Sequence, residues 1–184
     1  MGQRTERADS SRHWVVRASV EADWRAYRDL RLEMLADTPI AFLETLDTAR
    51  RHSDEHWRRR AANASPTSRL FAAVAEDGSW LGSMGGFHAT GAPDPHLVGV
   101  YVTPAYRGRE TGLTDALLDA VIDWARGRGG RLLLEVHELN APAIRYYERR
   151  GFAFTGATQP YPLDRTTNEL EMALPLTAED PLAG

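Results

Sequence analysis

Apolar positions along the chain repeat with two different periods, and the switches between them mark out the elements. Trp14 to Ala18 is a short apolar-rich run, predicted to be the first strand. Trp24, Tyr27, Leu30 and Met34 then recur at helical spacing, which predicts a helix with Ser19 as its N-cap. Thr38-Pro39 stops it, because proline disfavours helix in the residue before it. A second helical region is predicted over Glu44 to Asn63, with Ser53, Asp54 and Glu55 as a capped, acidic first turn inside it and Trp57 in the core. The period then changes. Leu70 to Ala75 and Trp80 to Phe87 flank Asp77-Gly78, a hairpin signal, and Leu97 to Val102 follows as another strand. Gly112 to Arg128 is predicted to be an amphipathic helix, with Leu113, Leu117, Val121 and Trp124 on one face and Gly129-Gly130 closing it. Leu132 to Val136 reads as a buried strand, Asn140 opens a short helix that ends before Gly151, and Phe152 to Thr155 and Asn168 to Leu174 are the last strands. The sum is an α/β domain whose middle runs strand, helix, strand, helix.

Length and composition narrow the picture. A chain of 184 residues, 42% hydrophobic and 26% charged, fits one domain, placed at residues 13–175 between a polar, disordered leader (1–12) and a tail (176–184). A net charge of −4 argues against a dedicated nucleic-acid binder. No apolar run is long enough to span a bilayer, and Met1 to Arg12 lacks the apolar stretch of a signal peptide. There is no cysteine, hence no disulfide, thiol nucleophile or cysteine zinc site, which fits a cytoplasmic protein. The six histidines show no metal-ligand spacing, so no metal is expected.

Chemistry is most legible between Val100 and Gly112. A strand runs into Arg107-Gly108-Arg109-Glu110-Thr111-Gly112, and that turn opens a long helix. Free N–H groups and the helix dipole make such a start an anion seat, and the arginines add charge-assisted donors. The same residues also suit a plain helix entry with two solvated arginines. The sequence has no G-x-x-x-x-G-K-S/T motif, which weighs against a P-loop nucleotidase, and no strand-linked G-x-G-x-x-G with a suitable acid, which weighs against a dinucleotide fold.

The turn resembles the R/Q-x-x-G-x-G/A motif of the GNAT family of N-acetyltransferases. Asn140 to Phe152 is similar to that family's second signature, N-x-x-A-x-x-x-Y-x-x-x-G-F, and Glu169-Leu-Glu-Met172 to its last strand. The resemblance spans Trp14 to Leu174. It implies a central mixed, mostly antiparallel, twisted sheet of about seven strands, with splayed fourth and fifth strands and about four flanking helices. It also implies acetyl-CoA as co-substrate, with its pantetheine arm on the backbone of Val100, Tyr101 and Val102. The pyrophosphate would lie on Arg107, Gly108, Arg109, Glu110, Thr111, Gly112 and Leu113, with Asn140 touching the cofactor or shaping the entry of its helix. Tyr147 matches the tyrosine that protonates the departing thiolate; by spacing alone it reads as a core aromatic. His96 falls where many members carry a glutamate base, and an imidazole can serve as one, although a lone histidine beside Asp94-Pro95 also reads as an ordinary loop residue; Glu135, His137 and Glu138 are weaker candidates.

Phe42 and Glu44 fall in the region where the family's acceptors enter, although Glu44 also reads as an exposed acid at a helix start. Arg50-Arg51 and Arg58-Arg59-Arg60 read as solvated helix faces, with the adenosine 3′-phosphate or an acidic acceptor as the other use. Glu110 departs from the family's glycine, and a carboxylate near pyrophosphate is expected to turn to solvent. The expected activity is acetyl transfer to a primary amine, of a small molecule or a protein, by direct attack in a ternary complex. A catalytically weak acyl-CoA-binding sensor is the alternative. Many members dimerise, so a homodimer is one expected assembly; neither nucleic acid nor membrane is an expected partner.

Overall fold

The computed structural model describes residues 13–63 and 65–176. The leader, and the tail beyond residue 176, lie outside the described residues. Seven strands form one sheet: β1 (Trp14–Ala18), β2 (Ser68–Ala75), β3 (Trp80–Phe87), β4 (His96–Val102), β5 (Arg131–His137), β6 (Ala153–Tyr161) and β7 (Asp164–Pro175). Their spatial order is β1-β2-β3-β4-β5-β7-β6. Each pairing is antiparallel except β4 with β5, which is parallel. Among the described residues, five α-helices cover the faces: α1 (Trp24–Asp37), α2 (Leu46–Arg50), α3 (Asp54–Ala61), α4 (Leu113–Ala125) and α5 (Ala141–Arg149).

Two cores follow from this layering. On one face Leu113, Leu117, Leu118 and Val121 of α4 pack on Leu97, Val102, Leu132 and Leu134, and α5 adds Tyr147. On the other, Trp24, Tyr27, Leu30 and Met34 of α1 meet Trp57 of α3, with Ala72, Trp80 and Tyr101 from the sheet. The helical stripes read from the sequence are these buried faces.

Three local expectations are corrected. Ser19 does not cap α1. Its buried hydroxyl donates to Ala61 O at 2.7 Å, while the Asp23 carboxylate takes the Val20 N–H at 2.9 Å ahead of the helix. The helical region at 44–63 divides in two around His52: Thr45 caps α2 by accepting from Thr48 N–H, and Ser53 restarts the chain as cap of α3. This division makes the helices five. Finally, α4 ends at Ala125, followed by Gly127 at φ 77°, so Gly129 is not the stop signal. Gly129 is there for space. A Cβ on it would sit 2.7 Å from Pro93 O and 2.9 Å from Asp94 Cα. Gly129→Ala is therefore expected to cost about 1–3 kcal/mol, measured by urea denaturation, because backbone rather than a flexible side chain must give way.

Candidate active site

The sheet opens where its parallel strands meet. β4 and β5 share one paired position, His96 with Leu133, next to a Leu133 N–H···O Pro95 bond of 2.9 Å. Asp94 pins this apex. One carboxylate oxygen accepts the N–H groups of Gly130 and Arg131, each at 3.0 Å, and the other accepts from Arg131 Nε at 3.0 Å. Beyond it the strands diverge. β4 also carries a bulge: Val98 pairs with Gly85 and Tyr101 with Ser83, and Gly99 between them takes φ 60°. The extra residue reverses which face the side chains meet. Leu97 lies in the α4 core, and Tyr101 lies in the α1 core. Thr103 N–H donates to Leu81 O at 2.9 Å, toward β3. Alternation then turns the N–H groups of Val100 and Val102 to the opposite edge, which borders the opening.

The turn after β4 is tied by its own side chains. Thr111 Oγ1 donates to Tyr106 O at 2.8 Å, and Gly112 at φ 63° is the N-cap of α4. Amides of the first helical turn, those of Thr114 and Asp115 included, have no intrahelical acceptors and form an anion seat. Arg107 is already engaged: Nε donates to Val102 O at 2.8 Å, Nη2 pairs with Asp37 of α1, and the guanidinium lies 5.3 Å from the Tyr101 ring centre. It clamps the turn to α1. Arg109 and Glu110 are exposed, and neither side chain has a hydrogen-bond or ion-pair partner among the described residues. Asp115, near the seat, is matched by Arg150 at 2.7 Å and the Tyr146 hydroxyl at 3.1 Å. Tyr146 is thus a structural neighbour of Tyr147.

A cleft of about 1160 Å³ runs from the opening across the α1 face, lined by Phe42, Val100, Glu135, Asn140, Tyr147 and Glu169 among others. Tyr147 is only 6% exposed, and its hydroxyl has no hydrogen-bond partner among the described residues. Burial pushes its phenol above the ordinary tyrosine range. Asn140 lies on the same wall as N-cap of α5, accepting from Ala143 N–H at 3.4 Å.

The remaining candidates separate. His96 does not line the cleft; it holds Glu135, which does, at 3.2 Å. The hydrogen bond to Glu135 raises the imidazole above its ordinary value, burial opposes this, and the charge of Glu135 adds to it. His137 lines the cleft with its ring fixed: Nδ1 accepts from Leu139 N–H at 3.2 Å, and Nε2 meets Thr167 Oγ1 at 3.1 Å. Glu138 accepts from Asn168 N–H at 2.9 Å, a strand-end contact. Phe42 is buried, with its carbonyl accepting from the Tyr161 hydroxyl at 3.0 Å. Glu44 is consumed by Arg31 at 2.8 Å and His52 at 2.6 Å and does not reach the cleft.

Sequence reading did not find Glu169 and Glu171. The register sets Glu171 opposite Glu135 and Glu169 opposite His137, so the carboxylates gather on one sheet face. Burial, then the charge of Glu135, raises Glu169 above the usual carboxylate range. Period-2 spacing of Glu169 and Glu171 was the available signal. Every basic residue of the 22 is arginine; the chain has no lysine. Among the described residues no group of three or more His, Asp or Glu is placed to hold a metal ion, and no helix is long and apolar enough to cross a membrane.

The site is thus a mixed sheet opened between two parallel strands, with the start of α4 following the first of them. Residues 24–152 match the Acetyltransferase (GNAT) family, and the chain belongs to that family. It is 40% identical over 90 residues to the streptothricin acetyltransferase of Streptomyces lavendulae, a stretch covering 48% of this chain and 47% of that protein. The chain thus spans about half the length of the curated relative it matches. The crystal structure of nourseothricin acetyltransferase aligns with a TM-score of 0.55 at 32% identity, over 61% of this chain and 67% of that one. A GCN5-related N-acetyltransferase from Kribbella flavida aligns with 0.69 at 26%, over 89% and 98%. The Salmonella typhimurium protein yncA, solved with its cofactor acetyl-CoA, shares the fold with a TM-score of 0.66 at 23% identity, over 90% and 95%.

Proposed function

We propose that this protein is an acyl-CoA-dependent N-acetyltransferase that moves an acetyl group from acetyl-CoA to a primary amine by direct attack in a ternary complex. The observation that carries this reading is Tyr147, a buried phenol without a hydrogen-bond partner in the wall of the β4–β5 opening. Acetyl-CoA supplies an acetyl group activated as a thioester. The residues present fit it. The N–H groups of Val100 and Val102 border the opening as those of an unpaired strand edge would, and the start of α4 with Arg109 suits a pyrophosphate. An amide at the bulge holds the carbonyl oxygen as negative charge develops. Tyr147 donates its proton to the departing sulfur; burial keeps the phenol protonated until the thiolate forms beside it.

The acceptor reading is a cationic small-molecule amine. Support comes from the carboxylates of Glu135 and Glu169 in the cleft, and from the likeness to streptothricin and nourseothricin acetyltransferases. With acetyl-CoA and streptothricin, saturable thiol release and a monoacetylated product by mass spectrometry are expected. If calorimetry shows acetyl-CoA binding while streptothricin, spermidine and free lysine all fail to release thiol, the transferase reading is wrong and an acyl-CoA-binding protein takes its place.

A further inference from the structure

We propose that Glu135 takes the proton from the acceptor ammonium, and that His96 is the positioning residue that holds its carboxylate. This rests on the transferase reading above. Four observations carry it.

The first is place. The last β4–β5 pair is His96 with Leu133, and the strands are parallel. Counting on from it sets Glu135 across from Val98, the residue before the Gly99 bulge. The carboxylate therefore stands just past the apex of the opening, where Glu135 lines the cleft. The second is access. The Glu135 side chain lines the cleft and keeps 30% of its surface exposed, enough to return a proton to solvent. His96 does not line the cleft, although it occupies the position expected of a base.

The third is the partner. His96 Nδ1 lies 3.2 Å from one Glu135 oxygen and 3.4 Å from the other, a contact that orients the carboxylate. The groups facing His96 are Glu135 from β5, Glu171 from β7, and Asp94 ahead of β4, which is committed to Arg131; its neighbour on β3 is Phe87. The fourth is unbalanced charge. Glu135 and Glu171 are directly opposed across β5 and β7, and like charges so placed repel. Glu171 accepts from the Thr155 hydroxyl and Glu169 from the Gln159 amide, and no arginine pairs with any of the three glutamates among the described residues. An ammonium in the cleft relieves that repulsion. Tyr147, buried and without a partner, faces the same cleft from the other wall.

The chemistry balances. An ammonium N–H bond breaks, its electron pair stays on nitrogen, and the proton moves to a Glu135 oxygen. That lone pair forms the new C–N bond, the C–S bond breaks, and the sulfur takes the Tyr147 proton. The nitrogen, positively charged once bonded to carbon, loses a second proton as its other N–H bond breaks, and that proton restores the Tyr147 phenol; Glu135 releases the first proton to water, so one proton is liberated per acetyl transferred.

The test uses the full chain with acetyl-CoA and streptothricin. Glu135→Gln is expected to lower kcat about 100-fold at neutral pH, with the KM for acetyl-CoA unchanged and a smaller deficit at alkaline pH, where free amine is abundant. His96→Gln should lower kcat while the KM for acetyl-CoA holds, because the Glu135 carboxylate loses the contact that orients it. Without any turnover assay, the His96 ring followed by NMR should titrate lower in Glu135→Gln than in the parent protein. The assignment is overturned if folded Glu135→Gln keeps kcat within about threefold of the parent at every pH, or if the His96 titration does not move. If the parent acetylates none of streptothricin, spermidine and lysine, the transferase reading falls and the base assignment falls with it. A kcat loss confined to Tyr147 variants would sink only the base.

Discussion

Tyr147→Phe is expected to lower kcat about 100-fold at neutral pH while leaving the fold intact, because general acid catalysis contributes on the order of 10²–10⁴. The hydroxyl has no partner to lose among the described residues, so its removal leaves no orphaned donor or acceptor. The ring keeps its packing in the α4 core. Thermal unfolding should therefore barely change, and the KM for acetyl-CoA should hold. The parent enzyme should also show no alkaline loss of rate around the ordinary tyrosine value of 10.0, since burial pushes this phenol higher. A variant that turns over as fast as the parent would remove Tyr147 from the chemistry and leave it as a core aromatic.

Asp94→Ala should be the most damaging change outside the cores. The carboxylate is buried and serves the Gly130 and Arg131 amides and the Arg131 guanidinium together. Alanine leaves those amides unpaired at the junction of β4 and β5, a loss of about 3 kcal/mol, measured by denaturant midpoint. The effect carries a pH signature. Burial alone would raise the Asp94 carboxyl, but the bonds from Arg131 and the Gly130 amide hold it below the ordinary 3.8. A lowered folded value means that the stabilisation is complete above 3.8 and fades as pH falls through the folded value. The variant and the parent should therefore converge in stability under strong acid. A gap that persists there would point to packing instead.

What could be read in advance was whatever local spacing encodes. The stripe of α4, the Asp77-Gly78 hairpin and the Asn140 cap of α5 each depend on residues a few positions apart. The same local logic misled at Ser19, whose hydroxyl found Ala61, 42 positions away, instead of its own helix. It also failed at Gly129, where the need is room for the Asp94 loop and not a helix stop. Within the candidate site, Tyr147 and the turn after β4 stand in motifs and were legible. The Arg107–Asp37 clamp, the Glu44–Arg31–His52 cluster and the His96–Glu135 pair were not. Each joins segments whose juxtaposition exists only once register and layer order are set. The bulge at Gly99 is a further case, since one extra residue decides which face every following side chain meets.

The exclusive use of arginine has its own chemical meaning. A reactive thioester held beside a lysine-bearing surface faces a population of ε-amines, any of which is a nucleophile once deprotonated. A guanidinium keeps its proton at every physiological pH and offers no lone pair of comparable basicity. All 22 basic side chains here are of that kind. The protein thus offers no side-chain alkylamine to the acyl donor its cleft is proposed to hold.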